Sequence, residues 1–571
     1  MRKEIKKILE KVVLELKKEK KWSAFVKAPA DKPAFVKAPA DKSTFSEAPA
    51  DKPAFVKAPA DKPGFDVSKI EVDYPKDETF GDYTSNIAMM LAHITKENPL
   101  SIAREIKEKF FSNLIEKIEV IAPGHINFFV NKKRLQDRVT EINKQKKKFG
   151  DSPMGKKRKV IIEFVSSNPT GPIHLGNGRG GPLGDTLASI MEKAGFKTRR
   201  EFYVNDCGNQ IEILGHSILK DEEAQYKGEY IDDLATKLDK NLKTPGEIGH
   251  WAAHMILAEH IKPTMKKLGI NFDEWFSEES LHKSGKAEEV IKLLEKKDLV
   301  YEKDGALWYK STKFGDDKDR VIRKSDGKVT YILVDFSYHK NKIDRGFDKI
   351  INIQGADHHK EAEVVRNFVK NILEKEAEVD HILTQMVRVI KDGQEVKMSK
   401  RKGVYFALDD LIEEVGKDAV RFIFLSYSST NHINFDINLA KEQSEKNPVF
   451  YVQYAHARIS SILKKAKNMN FKFDKNNSVY LLSHEKEISL IRELNRFPEL
   501  VEEIAQNYQV HKLPLYAMKL ADKFHSFYGA CKVLDEKNSE LTRARLNLVN
   551  AVKIVLAEAL ELMGIDAPEK M

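Results

Sequence analysis

RKVIIEFVSSNPTGPIHLGNGRGGPLGDTLASIMEKAG, residues 158–195, decides the fold class. It reads as a strand at Val160–Val165, a tight polar loop, then a helix. A short apolar run rich in β-branched residues, followed by helical periodicity, is the opening of an α/β unit on a parallel sheet. Pro182 fits if the helix starts near Arg179, because a first-turn proline lacks only an N–H that has no partner anyway. Glu163 sits inside the apolar strand, where an unpaired carboxylate is costly. Either it reaches solvent at the strand end or it faces a cation. The loop ends on His174-Leu175-Gly176-Asn177, an H-x-G-[HN] element at the helix start. Backbone N–H groups and the helix dipole there suit phosphate, and Gly176 allows close approach.

A second element lies far downstream. After the strand-like MVRVI and the turn KDGQ comes Lys397-Met398-Ser399-Lys400-Arg401-Lys402-Gly403. Upstream, residues 131–155 form a Lys-rich helix and linker. Residues 69–130 alternate KIEVDYP, TSNIAMMLAHI, PLSIAREIKEKFF and KIEVIAPGHINFFV, which reads as a small α+β domain. Ile5, Ile8, Leu9, Val12, Val13 and Leu16 place an amphipathic helix at 2–21. Between them, residues 24–63 are four copies of a decapeptide of the type AFVKAPADKP. Proline at that density blocks regular helix or sheet, so the tract reads as an extended insertion. From about residue 447 the chain is helical to its end.

The chain has 571 residues, with 97 Lys and Arg against 87 Asp and Glu for a net charge of +10. Residues 1–22 carry nine basic and four acidic groups, half of that net charge. At 41% apolar and 32% charged residues, the composition is that of a globular protein and excludes collagenous, wholly disordered and disulfide-stapled classes. Two cysteines, Cys207 and Cys531, give neither a disulfide framework nor a CxxC zinc site, and suit a reducing cytosol. No apolar run is long enough for a transmembrane helix, and the N-terminus lacks a signal peptide's apolar stretch.

The two nucleotide-type elements, in this order, resemble the paired motifs of class I aminoacyl-tRNA synthetases. The resemblance narrows to the arginyl-tRNA synthetase family on IIEFVSSNPTGPIHLGN, YVNDCGNQ (203–210), YILVDFSYHKNKIDRGFD (331–348), NIQGADHH (352–359), DAVRFIFLS (418–426), NPVFYVQYAHARI (447–459) and the terminal APEKM. It implies an α/β multidomain protein. The expected parts are an N-terminal domain at 1–130 that contacts tRNA and carries the repeat, a linker helix at 131–155, and a Rossmann-like parallel-sheet catalytic domain at 156–405. An inserted segment at about 215–320, a connecting segment at 406–446 and an all-α anticodon-binding domain at 447–571 complete it.

The resemblance implies ligation of arginine to tRNA(Arg) at the expense of ATP, with Mg²⁺ accompanying ATP, in a monomeric cytoplasmic enzyme with no membrane or zinc requirement. Members commonly need bound tRNA before they activate arginine. By the same resemblance His174, Asn177, Lys397 and Lys400 are catalytic. Gly176, Gly355, Asp357, Met398 and Ser399 meet ATP. Glu163, Asn168, Tyr331, Asp335 and Gln354 surround arginine. A guanidinium needs carboxylates that accept paired hydrogen bonds, and Tyr331 and Asp335, four apart, share a face if helical. His125 and Asn127 could take one flipped-out base of the tRNA. Tyr451, Gln453, Tyr454, His456 and Arg458 offer stacking and hydrogen bonds to the anticodon. Asn177 stands where H-x-G-H is more usual, and keeps a donor but cannot become cationic. The rival readings are another class I synthetase, such as a cysteinyl or methionyl type, or a tRNA-binding paralogue without catalysis. No zinc-ligand cluster is visible for the cysteinyl type, and His174, Gly176 and Lys400 speak against an inactive paralogue.

Deletion of residues 24–63 should leave folding and charging largely intact, because a proline-rich decapeptide array adds no core. The check is a melting curve; a fall of more than about 5 °C, about 2 kcal/mol for a domain of average size, would mean that the tract packs on the body.

Overall fold

The structure, a computed structural model, describes residues 1–20, 65–356, 359–373, 377–396, 407–471 and 478–571. The repeat, Asp357 and the lysine element at 397–403 lie outside the described residues. The chain forms two compact units, residues 1–137 and 138–571.

In the first unit, helix Arg2–Glu19 buries Ile5, Leu9, Val12, Val13 and Leu16 along one stripe. Strands β1 (Tyr83–Ser85), β2 (Ile115–Ile121) and β3 (His125–Val130) form an antiparallel sheet in the order β1-β3-β2. Helices Ile87–Thr95 and Pro99–Lys109 cover it. The second begins where the residues dictate: Asn98 caps the amides of Leu100 and Ser101, and Pro99 takes the first turn. KIEVDYP does not form the expected strand; it contributes one isolated bridge, Asp73 to Thr84. Asn127 points inward rather than offering itself to a base. It is 3% exposed and its Oδ1 accepts from the Thr84 hydroxyl at 2.7 Å. His125 is half-buried at the first position of β3.

The second unit is built on a parallel sheet. Its strands are β4 (Lys159–Glu163), β5 (Lys197–Val204), β6 (Glu274–Ser277), β10 (Lys349–Gly355) and β11 (Glu378–Thr384), in the order β11-β10-β4-β5-β6. Between β6 and β10 the chain makes a small antiparallel sheet of β7 (Val300–Lys303), β8 (Ala306–Tyr309) and β9 (Arg320–Arg323). A third sheet pairs β12 (Val387–Lys391) with β13 (Gln394–Glu395) and β14 (Ile433–Asp436).

β4 ends at Glu163, two residues earlier than its apolar run suggests. Val165 and Ser166 adopt φ of +68° and +40°, a region that a β-branched residue enters only under strain from its surroundings. The turn redirects the chain over helix Gly180–Lys193, which lies so close that a Cβ at Gly184 would sit 2.2 Å from the Phe164 ring. A single turn, Leu175–Gly178, precedes that helix, and Pro182 occupies its third position.

Helices Pro448–Asn468, Glu485–Asn507, Lys512–Ala530 and Ser539–Leu562 form the C-terminal bundle. Fully buried Arg421, on helix Lys417–Leu425, ties it to the sheet region. Its guanidinium donates to Asp185 Oδ2 at 2.6 Å, to the Leu268 carbonyl at 3.1 Å and to the Met563 carbonyl. Asp185 also accepts from Arg200 Nε at 3.0 Å.

Replacing Arg421 by Met leaves Asp185 with Arg200 as its one remaining cationic partner and leaves the Leu268 and Met563 carbonyls without this donor. The expected loss is about 3–5 kcal/mol, read as a lower denaturation midpoint by circular dichroism.

Candidate functional site

Ligands of an open parallel sheet bind beyond the carboxyl ends of its strands, where the strand order reverses. Here that point lies between β4 and β10. Paired in register are Glu163, the last residue of β4, and Asn352, with Gln354 two residues on and so on the same face of the sheet. Helix Tyr331–Asp344 covers that face.

Glu163 faces a cation, and the cation belongs to the protein. Lys342 Nζ, fully buried, donates to Glu163 Oε2 at 2.6 Å and to Asn352 Oδ1 at 3.0 Å, and lies 3.9 Å from the centre of the Tyr338 ring. Asn352 Nδ2 stands 2.9 Å from His339 Nε2, while His339 Nδ1 stands 2.8 Å from the Asp335 carbonyl. A carbonyl only accepts, so Nδ1 carries the proton and Nε2 accepts from the amide. Burial and Lys342 hold His339 far below its ordinary pKa, in the neutral form this chain of bonds requires. Beside it, Glu201 accepts from Tyr338 Oη at 2.6 Å and from both Arg345 Nη atoms at 2.6 and 3.0 Å. Helix Tyr331–Asp344 is thus bolted to β4, β5 and β10 by three of its own residues.

That anchoring fixes Asp335. Burial, then the charges of Glu163 and Glu278, push its carboxyl up to about 7, against the opposing pull of Lys342. No described residue donates a hydrogen bond to it. Tyr331, four residues earlier on the same helix, is 66% exposed. Tyr203, at the end of β5, faces Glu278, Asp335 and Glu163, and burial raises its pKa. Asn168 donates from the 164–174 loop to Gln210, and Gln354 Oε1 lies 3.3 Å from His381 Nδ1. The result is a cluster of three carboxylates, Glu163, Glu278 and Asp335, and one lysine. Such a site favours an added cation.

Glu278, Tyr203 and Lys342 were not picked out from the sequence. Glu278 opens helix Glu278–Lys283, which the loop 205–207 positions: Asp206 accepts from the Ser277 hydroxyl at 2.6 Å and the Glu279 amide at 2.9 Å. The same loop brings Cys207 within 4.8 Å of Glu278 and His282. The absence of a ligand cluster, read from sequence spacing, therefore does not survive folding.

On the other side of the strand ends, His174 caps the turn Leu175–Gly178, its Nδ1 accepting from the Gly176 amide at 3.3 Å. A Cβ at Gly176 would meet only His174 Nδ1, at 3.6 Å, so no packing demands a glycine there. Asn177 is exposed. The far end of the lysine element is tied to this turn: Leu408 N donates to the Ile173 carbonyl at 2.9 Å and His174 bridges Ala407. The near end is tied through Arg179, whose guanidinium donates to the carbonyls of Gln385, Asn431 and Ser428, each at 2.7 Å. Gly355 closes β10 opposite Thr384. Asp357, Lys397, Met398, Ser399 and Lys400 lie outside the described residues.

In the bundle, the five candidates on helix Pro448–Asn468 divide. His456 is 3% exposed, with Nδ1 2.8 Å from the Pro568 carbonyl. Gln453 Nε2 donates to Asp418 Oδ2 at 2.8 Å and the Asp566 carbonyl at 2.9 Å. Both hold the C-terminal tail rather than facing outward. Tyr454 is exposed and stacks at 6.2 Å on His525, Tyr451 lies 5.2 Å from the same ring, and the Arg458 guanidinium sits 4.7 Å from the Tyr528 ring. These leave an aromatic and cationic surface of the kind that receives bases.

Residues 50–130 match the family model of the arginyl tRNA synthetase N terminal domain. Residues 138–244 and 216–461 match the class I (R) tRNA synthetase catalytic domain, and 452–571 the DALR anticodon binding domain. The arginine–tRNA ligase of Listeria monocytogenes is 43% identical over 528 residues, 89% of this chain and 95% of that one. Arginine–tRNA ligase 1 of Halalkalibacterium halodurans is 41% identical over 527 residues, 88% and 95% of the two chains. The fold matches that of Thermus thermophilus arginyl-tRNA synthetase with a TM-score of 0.71 at 22% identity, over 88% of this chain and 96% of that one.

A guanidinium ligand placed at Asp335 would bind its ionised form. With the free carboxyl at about 7, binding is at full strength above that pH and weakens below it, by up to about tenfold per pH unit until the complex itself takes up a proton. Calorimetric titration of arginine across neutral pH should show this slope, and Asp335→Asn should flatten it; a parent affinity unchanged between mildly acidic and mildly alkaline buffer would contradict it.

Proposed function

The chain belongs to the arginyl-tRNA synthetase family and is an arginine–tRNA ligase, and we propose that the carboxylate cluster over β4 and β10 is where it holds arginine. One observation carries this placement: three carboxylates and a single lysine converge at the switch point of the sheet. Asp335 and Glu278 receive the guanidinium, and Tyr331 closes over it. Glu163 acts through Lys342, which holds it in place. Asn168 and Gln354 frame the α-amino end, which leaves the carboxylate directed toward the Leu175–Gly178 turn.

ATP lies across that turn, with His174 and Asn177 beside its phosphates, Gly176 and Gly355 allowing close approach, and Asp357 at the ribose. Mg²⁺ travels with ATP as a counter-ion of its phosphates. The arginine carboxylate oxygen attacks the α-phosphorus, the bond to the bridging oxygen breaks, and diphosphate leaves. A hydroxyl of the terminal tRNA ribose then attacks the arginyl carbonyl, AMP departs, and the hydroxyl proton passes to solvent. No protein nucleophile takes part; the residues position the reactants and offset charge. Lys397 and Lys400 meet the negative charge that moves onto the departing diphosphate. Tyr451, Tyr454 and Arg458 receive anticodon bases, and His125 lies at the tRNA-facing edge of the first unit. A monomer in the cytoplasm suits this work.

ATP–diphosphate exchange with each amino acid, with and without tRNA, tests the substrate; faster exchange with any amino acid other than arginine overturns it. Asp335→Ala should raise the KM for arginine strongly and leave that for ATP nearly unchanged. Lys400→Ala should lower the single-turnover rate of adenylate formation by about 10²–10³, the effect of one well-placed charge made mainly in the transition state. Lys402→Ala is the control, and an equal loss there would contradict the assignment of Lys400.

A further inference from the structure

The helix that supplies Glu278 carries His282 one turn on, so both side chains leave the same face. Cys207 reaches that face from the 205–207 loop, and the ligand atoms of Cys207, Glu278 and His282 all lie within 4.8 Å of one another. The two segments are pinned together before anything binds. Asp206 accepts from Ser277 and Glu279 at the head of the helix. The Asn205 amide, turned as its neighbours demand, donates to the Cys207 carbonyl and to Glu278 Oε2, both at 3.1 Å. Glu278 is 5% exposed and lies between the other two: the Cys207 sulfur is within 4.8 Å of its carboxylate, and His282 Nε2 lies 3.7 Å from its Oε1. His282 is itself exposed, which gives an ion a way in.

Sulfur, nitrogen and one carboxylate oxygen are the donors of zinc and of the borderline-soft divalent metals, whereas magnesium and calcium take oxygen alone. Three such donors with an open fourth position form a metal site of the accessible type. We propose that Cys207, Glu278 and His282 bind a zinc-class divalent cation, and that this cation and arginine exclude one another. Exclusion follows because Glu278 is one of the carboxylates that face Asp335; a metal on Glu278 withdraws that charge from the guanidinium and places a positive charge beside it. As the metal–sulfur bond forms, the thiol proton leaves to solvent. No electron changes hands. The exclusion rests on the arginine pocket assigned above, whereas metal binding itself does not.

A second pair of ligands stands nearby and gives the proposal a rival location. His250 and His254, one turn apart on helix Pro245–Ile256, bring their Nε2 atoms to 3.1 Å. His250 Nδ1 lies 3.2 Å from the Asp206 carbonyl.

The test uses the full-length reduced chain and Co²⁺ alone. The parent should develop a thiolate-to-cobalt charge-transfer band. Cys207→Ser should abolish it, His282→Ala should weaken Co²⁺ binding by about tenfold or more, and Cys531→Ser should leave it unchanged. A parent without the band, a band that survives in Cys207→Ser, or one lost in His254→Ala but kept in His282→Ala overturns the site. Separately, Zn²⁺ should raise the apparent KM for arginine without lowering kcat, and Cys207→Ser, whose metal-free charging stays close to the parent's, should need about tenfold more Zn²⁺ for the same effect. A Co²⁺ band with inhibition that excess arginine does not relieve overturns the exclusion and the pocket assignment while leaving the metal site standing.

Discussion

Everything near the strand ends depends on one buried ion pair. Lys342 and Glu163 meet at 2.6 Å where water does not reach. Breaking such a pair from one side leaves a charge that the surrounding protein does not solvate. The pair therefore acts as a registry pin. It sets helix Tyr331–Asp344 at one rotation over β4 and β10, and with it the neutral His339 chain and the place of Asp335. The site's affinity for a cation follows from what the pin leaves over: one lysine among three carboxylates, with Asp335, to which no described residue donates a hydrogen bond, poised near neutrality.

The strand–turn–helix at 158–195 was legible because periodicity and proline placement are local. So was the pairing of Tyr331 with Asp335, since helical spacing alone puts residues four apart on one face. Glu278 was not legible, because nothing in SEESLHK says that this helix returns to the end of β5. It does so through Asp206, a residue whose role appears only when two distant segments meet. The same limit applies to Asn127 and His456. Each looked like an exposed recognition group from its chemistry, and each is a satisfied interior group because Thr84 or Pro568 lies opposite. A polar side chain shows what it can bond to, but not whether the fold has already supplied the partner.

The two buried arginines among the described residues of the second unit show two ways to hold a cation inside. Arg421 has Asp185 and two carbonyls. Arg179 has three carbonyls and no carboxylate among these bonds, and burial lowers it to about 10. Carbonyl dipoles suffice there because the planar guanidinium presents its donors in fixed directions, each of which meets an acceptor. A lysine has no such fork, and would satisfy fewer of the three.

The hydrogen bond from Leu408 to Ile173, with the bridge from His174 to Ala407, closes the chain on itself across a very long interval. Everything between those points, including four of the five parallel strands and the small β7–β9 sheet, hangs from that closure as a loop hangs from its knot. Loop-closure entropy grows only logarithmically with length, so segments can be lengthened inside the interval at little thermodynamic expense. The kinetic side is less forgiving: a contact of such sequence separation forms late and slowly. During synthesis on the ribosome the Leu175–Gly178 turn therefore waits, incomplete, until residue 408 has emerged, and no nascent fragment shorter than that carries the turn in its finished setting.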